Sequence, residues 1–147
     1  VTDVNLRQVN SLAAPAEVSI DFNGTGEVRN EGKKQRWKLP IRPTSRHLLA
    51  VQQRHYPFLQ GKPRQYSWVV KMKLPKGSRL ARPPKSVKYD HECLSYERSY
   101  DINGSAVTVR QVTTSRCERI SRQAIGDVQS MVRDIVNSEQ AELVLTY

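Results

Sequence analysis

The dipeptide Asn103-Gly104, set between two long alternating runs, constrains this chain more than any other feature of its sequence. Asn and Gly both tolerate positive φ, and with period-two alternation on either side they form the strongest short-range hairpin signal a sequence carries. The flanking runs are Val87 to Tyr100 and Ala106 to Cys117, so two long antiparallel strands are expected there. With Asn103 and Gly104 as the turn, Cys93 faces Thr114 and Cys117 faces Asp90. The two cysteines then stand three positions out of register, and a disulfide between them needs a bulge or a longer loop.

Other segments repeat the strand pattern. Val1 to Asn10 fits a short strand, and Ala16 to Phe22 alternates Val18, Ile20 and Phe22 against Glu17, Ser19 and Asp21. Asn23-Gly24-Thr25-Gly26 is a turn cluster. Gln35 to Ile41 places Trp37, Leu39 and Ile41 on one face, with Pro40 and Pro43 confining it to an edge or an end. Leu48 to Tyr56 is a further extended candidate, stopped by Pro57. Tyr66 to Leu74 alternates most clearly, with Tyr66, Trp68, Val70, Met72 and Leu74 on one side and Val69 the single exception on the other. Arg82-Pro83-Pro84-Lys85 reads as polyproline-like.

After Ile120 the period changes. Ile125, Val128, Val132, Ile135 and Val136 recur every three or four residues, the stripe of an amphipathic helix, with Ser121 as its N-cap. The stripe fades at Asn137-Ser138, and Leu143-Val144-Leu145 adds a last short strand. About seven strands and one helix predict an all-β fold, an antiparallel β-sandwich-like domain over residues 1–147 closed by one C-terminal amphipathic helix. Trp68, Val70, Met72, Leu74, Val107, Val109, Val128, Val132 and Ile135 are the expected core. The chain opens on Val1 and not on methionine, which is expected of a piece or a processed product of a larger protein.

Charge is the main pointer to function. The net charge is +10, and it is unevenly placed. Between Arg29 and Lys88 there are 17 lysines and arginines against Glu31 alone, while the rest of the chain carries 7 basic and 13 acidic residues. Such a block sets up a positive field to which nucleic acid, acidic glycans, anionic lipid or an acidic neighbouring domain would respond. Within it Lys33, Lys34, Arg36 and Lys38 flank Trp37, and Arg54, Arg64, Lys71 and Lys73 surround Tyr56, Tyr66 and Trp68. Basic residues interleaved with aromatics are how single-stranded nucleic acid is held, so these eight form a candidate polyanion patch. The competing reading is a solvated or docking face, since Tyr66 and Trp68 lie on the apolar side of their strand.

Catalytic and metal chemistry find little to work with. His91 and Cys93 share a strand face but lack an orienting third group. His47, His55, His91, Cys93 and Cys117 have no paired zinc spacing. No glycine-rich phosphate loop or nucleophile elbow is present, so no cofactor is expected. Asn23-Gly24-Thr25 and Asn103-Gly104-Ser105 match the glycosylation pattern, which is also ordinary turn chemistry. No stretch approaches the roughly 18 apolar residues of a transmembrane helix.

Arg54-His55-Tyr56-Pro57-Phe58-Leu59, then Tyr66 to Leu74 ending in Leu74-Pro75-Lys76-Gly77, then the proline-led Pro83-Pro84-Lys85-Ser86-Val87, the long hairpin Tyr89 to Arg116 and a helix over Ile120 to Asn137 together make a pattern. This pattern, over about residues 45–140, resembles the C-terminal β domain of bacterial exported proteins with a transglutaminase-like core flanked by domains of unknown function. The resemblance implies a non-catalytic accessory domain in the periplasm or cell envelope, partnered by a neighbouring domain of the same polypeptide or by another protein. The family's Cys-His-Asp set belongs to the central domain, and no position here matches it. The basic block is not implied by the resemblance.

Overall fold

The computed structural model describes residues 3–7, 17–21, 28–39, 41–44, 46–50 and 56–147. Among these, strands β1 (Asp3–Arg7) and β2 (Glu17–Asp21) pair antiparallel as a small sheet of their own. Next come β3 (Val28–Glu31), β4 (Lys34–Lys38), a 3-10 turn at His47–Leu49, β5 (Phe58–Leu59), β6 (Arg64–Lys73), β7 (Arg79–Arg82) and β8 (Val87–His91). The chain closes with β9 (Leu94–Asn103), β10 (Ala106–Ser115), β11 (Arg119–Ile120), helix α1 (Ile125–Ser138) and β12 (Glu142–Thr146). The fold is mostly antiparallel sheet with a single helix near the C-terminus, as the sequence pattern predicts.

Two four-stranded sheets make the body. One has the order β6-β10-β9-β8 and the other β3-β4-β12-β7. Leu74, Val107 and Val109 from the first meet Leu39, Leu143 and Leu145 from the second in one buried cluster, the filling of a sandwich. A second cluster joins Leu94 to Val128 and Val132 of α1, to Leu48 of the 3-10 turn and to Ile120. The same face of the β9/β10 pair is thus covered by a sheet at one end and a helix at the other. Burying each of these aliphatic side chains contributes about 1.5–3 kcal/mol.

The hairpin forms, with a shift that matters. Gly104 and Ser105 are the turn residues and Asn103 pairs with Ala106. Gly104 takes φ +56, as the primed turns that match strand twist require. Gly32 plays the same part at φ +61 between β3 and β4. Moving the turn by one residue puts Leu94 opposite Ser115, and the Arg116 N–H donates to the Cys93 carbonyl at 2.9 Å. The offset between the cysteines falls from three positions to one, and Cys93 and Cys117 form a disulfide with their Cα atoms 4.7 Å apart.

Several expectations are corrected. Val87 to Tyr100 is not one strand: it turns back at Glu92-Cys93, and β8 pairs with β9 from His91 opposite Leu94. The Cys93 N–H donates to His91 Nδ1 at 3.1 Å within that turn. Leu48 and Leu49 belong to the 3-10 turn, with Leu48 buried against the helix, and the remainder of that extended candidate falls largely outside the described residues. Ser121 does not cap α1. Its Oγ accepts from the Ala124 N–H and closes the turn before the helix, which starts at Ile125. Of the expected core, Leu74, Val107, Val109, Val128, Val132 and Ile135 are buried and Val70 and Met72 half-buried, but Trp68 is 42% exposed.

A polar group sits under the helix. Arg98, on β9, is 1% exposed and donates through Nη2 to the Ser138 carbonyl at the end of α1. A cation there is favoured by the helix dipole. Arg98 also stands 5.7 Å from the Tyr100 ring centroid. Beside it the Tyr96 hydroxyl is pushed up to about 12, chiefly by burial, with the Arg98 charge opposing and Glu139 and Tyr100 adding to the rise. Burial raises Tyr100 as well. Glu139 accepts from the Thr44 N–H at 2.9 Å and from its hydroxyl at 2.6 Å, anchoring the segment before the 3-10 turn to the end of the helix.

Two outcomes follow from these contacts. Replacing both cysteines by serine, or reducing the bond, lowers the unfolding free energy by about 3 kcal/mol in the loop-closure estimate, read from denaturant midpoints with and without reductant. Tyr96 ionises near pH 10 when unfolded and near 12 when folded, so its share of stability is complete below pH 10 and is lost as pH rises to 12. Tyrosinate absorbance followed beside circular dichroism over that range should show late titration coinciding with unfolding, and Tyr96→Phe should flatten the dependence.

Candidate functional site

Where the second sheet ends and before the helix begins, the inner face of the first sheet is left partly open. Here β6 and β10 pair Trp68 with Gln111, Tyr66 with Thr113 and Arg64 with Ser115. Facing them are residues 42–44 and 47–50 and β5, which is held by pairing with β11. A cleft of about 740 Å³ results. Among the described residues its wall contains Arg42 and Arg64 and no carboxylate, so two guanidinium charges make the cleft positive as well as partly aromatic.

Tyr66 and Trp68 are 39% and 42% exposed on this wall. The Arg42 guanidinium carbon lies 4.3 Å from the Tyr66 ring centroid and that of Arg64 lies 5.5 Å from it. Such cation–π pairs hold the ring's orientation at a modest gain in energy. Gln111 is buried; its Nε2 donates to the Arg42 carbonyl at 2.8 Å, which fixes the rim to the sheet. Gln111 Oε1, Ser115 Oγ and Gln60 Oε1 are buried with no hydrogen-bond partner among the described residues. Behind the rim, Gln129 of α1 donates to the Leu48 carbonyl at 2.7 Å.

The basic residues singled out in sequence divide among several surfaces. Strand alternation sends Lys34, Arg36 and Lys38 of β4 to the outward side of the second sheet, since Trp37 and Leu143 are partners on the inward side. Register adds Arg29 from β3 and Arg79 and Arg82 from β7 to that face. Arg79 and Arg82 were missed because nothing in sequence reveals that β12 draws β4 and β7 together, and Arg29 because the segment before β4 was not read as a strand. The carboxylates among them are Glu31 and Glu142, both in ion pairs with Arg36, at 2.8 and 3.6 Å. Lys33 lies in the Gly32-Lys33 turn at one end of this face. Lys71 and Lys73 point outward from the other sheet, and Arg64 stands at the rim of the cleft. Arg54 and His55 lie outside the described residues. Cys93 and Cys117 are engaged with each other, so the His91–Cys93 pair offers no thiolate while the disulfide is closed.

Residues 38–145 match the model of a family described as a domain of unknown function with solved structure, DUF3858. A search of curated proteins finds no match. Among solved structures, the fold is similar to part of a protein from Parabacteroides distasonis described as a "putative protease". The TM-score is 0.65 and the identity 12%, and the likeness covers 80% of this chain but 24% of that one. This chain therefore spans about a quarter of the length of the structure it matches, and the likeness is one of fold.

The electrostatics of the cleft can be read through its tryptophan. With arginines nearby and no carboxylate among the described residues of the wall, iodide should quench Trp68 fluorescence more strongly than caesium does. Half-buried Trp37 should resist both, and Trp68→Phe should abolish the difference between the two ions.

Proposed function

The chain belongs to the DUF3858 family of domains of unknown function, and from that membership we propose that it is a non-catalytic accessory domain of a larger cell-envelope protein with a transglutaminase-like core. Its work is to hold a neighbouring domain or that domain's protein substrate. The observation that carries this reading is one of proportion: the same fold makes up 24% of a longer chain described as a "putative protease". The disulfide agrees with an oxidising compartment, where such bonds persist. In this chain the cysteine nearest to a histidine is half of that disulfide, which argues for a structural use of the sulfur.

A second reading has its own support. The outward side of the second sheet carries Arg29, Lys34, Arg36, Lys38, Arg79 and Arg82 against Glu31 and Glu142, a surface suited to a polyanion. One set of measurements separates the readings. The chain is incubated with unfolded protein substrates and with an amine donor, and titrated with heparin, single-stranded DNA and duplex DNA at low salt and at about 0.15 M. The accessory reading expects no turnover and only weak uptake that salt abolishes for every polyanion alike. Turnover sensitive to Cys93→Ser would overthrow it. Saturable binding that survives at 0.15 M and falls when Lys34, Arg36 and Lys38 become glutamate would put the polyanion reading in its place.

A further inference from the structure

β6 is ten residues long and stands at the edge of its sheet; among the described residues it is bonded on one side only, by β10. Long open edges are templates for another strand, and proteins usually shorten or cover them. The Leu74 N–H donates to the Ser105 carbonyl at 2.7 Å, which fixes the phase of the ladder. Even-numbered residues of β6 therefore turn their backbone groups toward β10. Gln65, Ser67, Val69, Lys71 and Lys73 turn theirs outward, five N–H and five C=O groups along about 30 Å of edge.

The side chains of this strand are as unusual as its backbone. Tyr66, Trp68 and Val69 are among the most exposed large apolar residues of the described chain, and all three are on β6. Tyr66 and Trp68 face the cleft, while Val69 faces outward at 45% exposure. The charged residues of β6 are Arg64, Lys71 and Lys73, with no carboxylate. Arg110 is exposed directly opposite Val69 on the next strand. The acids of that outer face are Glu97 and Asp101 on β9 and Asp90 on β8, one and two strands further from the edge.

We infer that the open edge of β6 is a docking site for an extended, acidic segment of a partner polypeptide, which adds to the sheet as a fifth strand. This rests on the reading of the chain as an interaction domain and names where and what it binds. Backbone pairing supplies the attachment, and alternate side chains supply the choice. Carboxylates on the outward side of the incoming strand meet Lys71, Lys73 and Arg110, and apolar side chains on its other side lie against Tyr66 and Trp68. A second copy of β6 brings only further positive charge, so self-pairing is opposed by the same lysines that favour an acidic segment.

The test uses a capped synthetic peptide of about nine residues alternating glutamate and valine, a version with glutamine for glutamate, one with lysine, and one N-methylated at alternate amides. Binding to the whole chain is followed by Trp68 fluorescence and by hydrogen exchange of single amides. The glutamate peptide should bind saturably and protect the amides of Ser67, Val69 and Lys71. The glutamine and lysine peptides should bind progressively less well, and the N-methylated peptide should fail. Lys71→Glu with Lys73→Glu should weaken the glutamate peptide by about two- to thirtyfold. Val69→Pro removes an outward N–H and leaves the ladder to β10 whole, so it should abolish binding without unfolding the chain. Absence of protection at these amides overturns the site, and equal affinity for the glutamate and glutamine peptides overturns the acidic partner. Neither result bears on the turnover measurement, so the accessory reading stands or falls separately.

Discussion

A guanidinium out of reach of water has to be satisfied by fixed dipoles, and the place where Arg98 finds one decides how the helix lies on the sheet. Its Nη2 donates to the Ser138 carbonyl, which also accepts from the Ala141 N–H at 3.2 Å, at the helix end with its partial negative charge. Moving the helix by a turn would take this bond from a buried guanidinium whose Nε and Nη1 have no other partner among the described residues, at about 1–3 kcal/mol or more. Apolar packing through Val128, Val132 and Ile135 tolerates small slides, whereas this bond does not. The next residue, Glu139, is itself tied to Thr44, so the position of the helix end also sets residues 42–44 in the wall of the cleft.

Much of this architecture was legible in the sequence where local periodicity and burial coincide. The stripe from Ile125 to Val136 became α1, and the alternation from Tyr66 to Leu74 became β6 with its limits moved by little. Asn103-Gly104 marked the hairpin but not which two residues turn, and that one-residue difference decides whether the cysteines can meet. The reversal at Glu92-Cys93 was hidden because neither residue is a turn former, and the alternation continues on both sides of it. Trp68 misled for a different reason. Alternation tells which side of a sheet a residue faces, not whether anything covers it there.

The site was legible in part for the same reason. Sequence brought Tyr66 and Trp68 together on one strand with Arg64 close before it, and the three do share a wall. It could not bring in Arg42, Gln111 or Ser115, which join the wall through contacts between distant segments. The block of positive charge looked continuous along the chain but is divided by the sandwich, with Lys34, Arg36 and Lys38 on one outer face and Lys71 and Lys73 on the other. A sequence run of like charge is a statement about composition; only strand register turns it into a surface.

β12 carries a consequence for how the molecule is made. It lies between β4 and β7 and bonds to both, in a sheet whose two halves are joined, among the described residues, by no other strand. Residues 142–146 are thus a keystone laid after both flanks. During synthesis the β8-β9-β10 meander can assemble from neighbours as it emerges, but the opposing sheet waits until those five residues leave the ribosome. Until then Leu80 and Trp37 have no partner strand between them, and half of the sandwich core stays open to chaperones, proteases and other nascent chains.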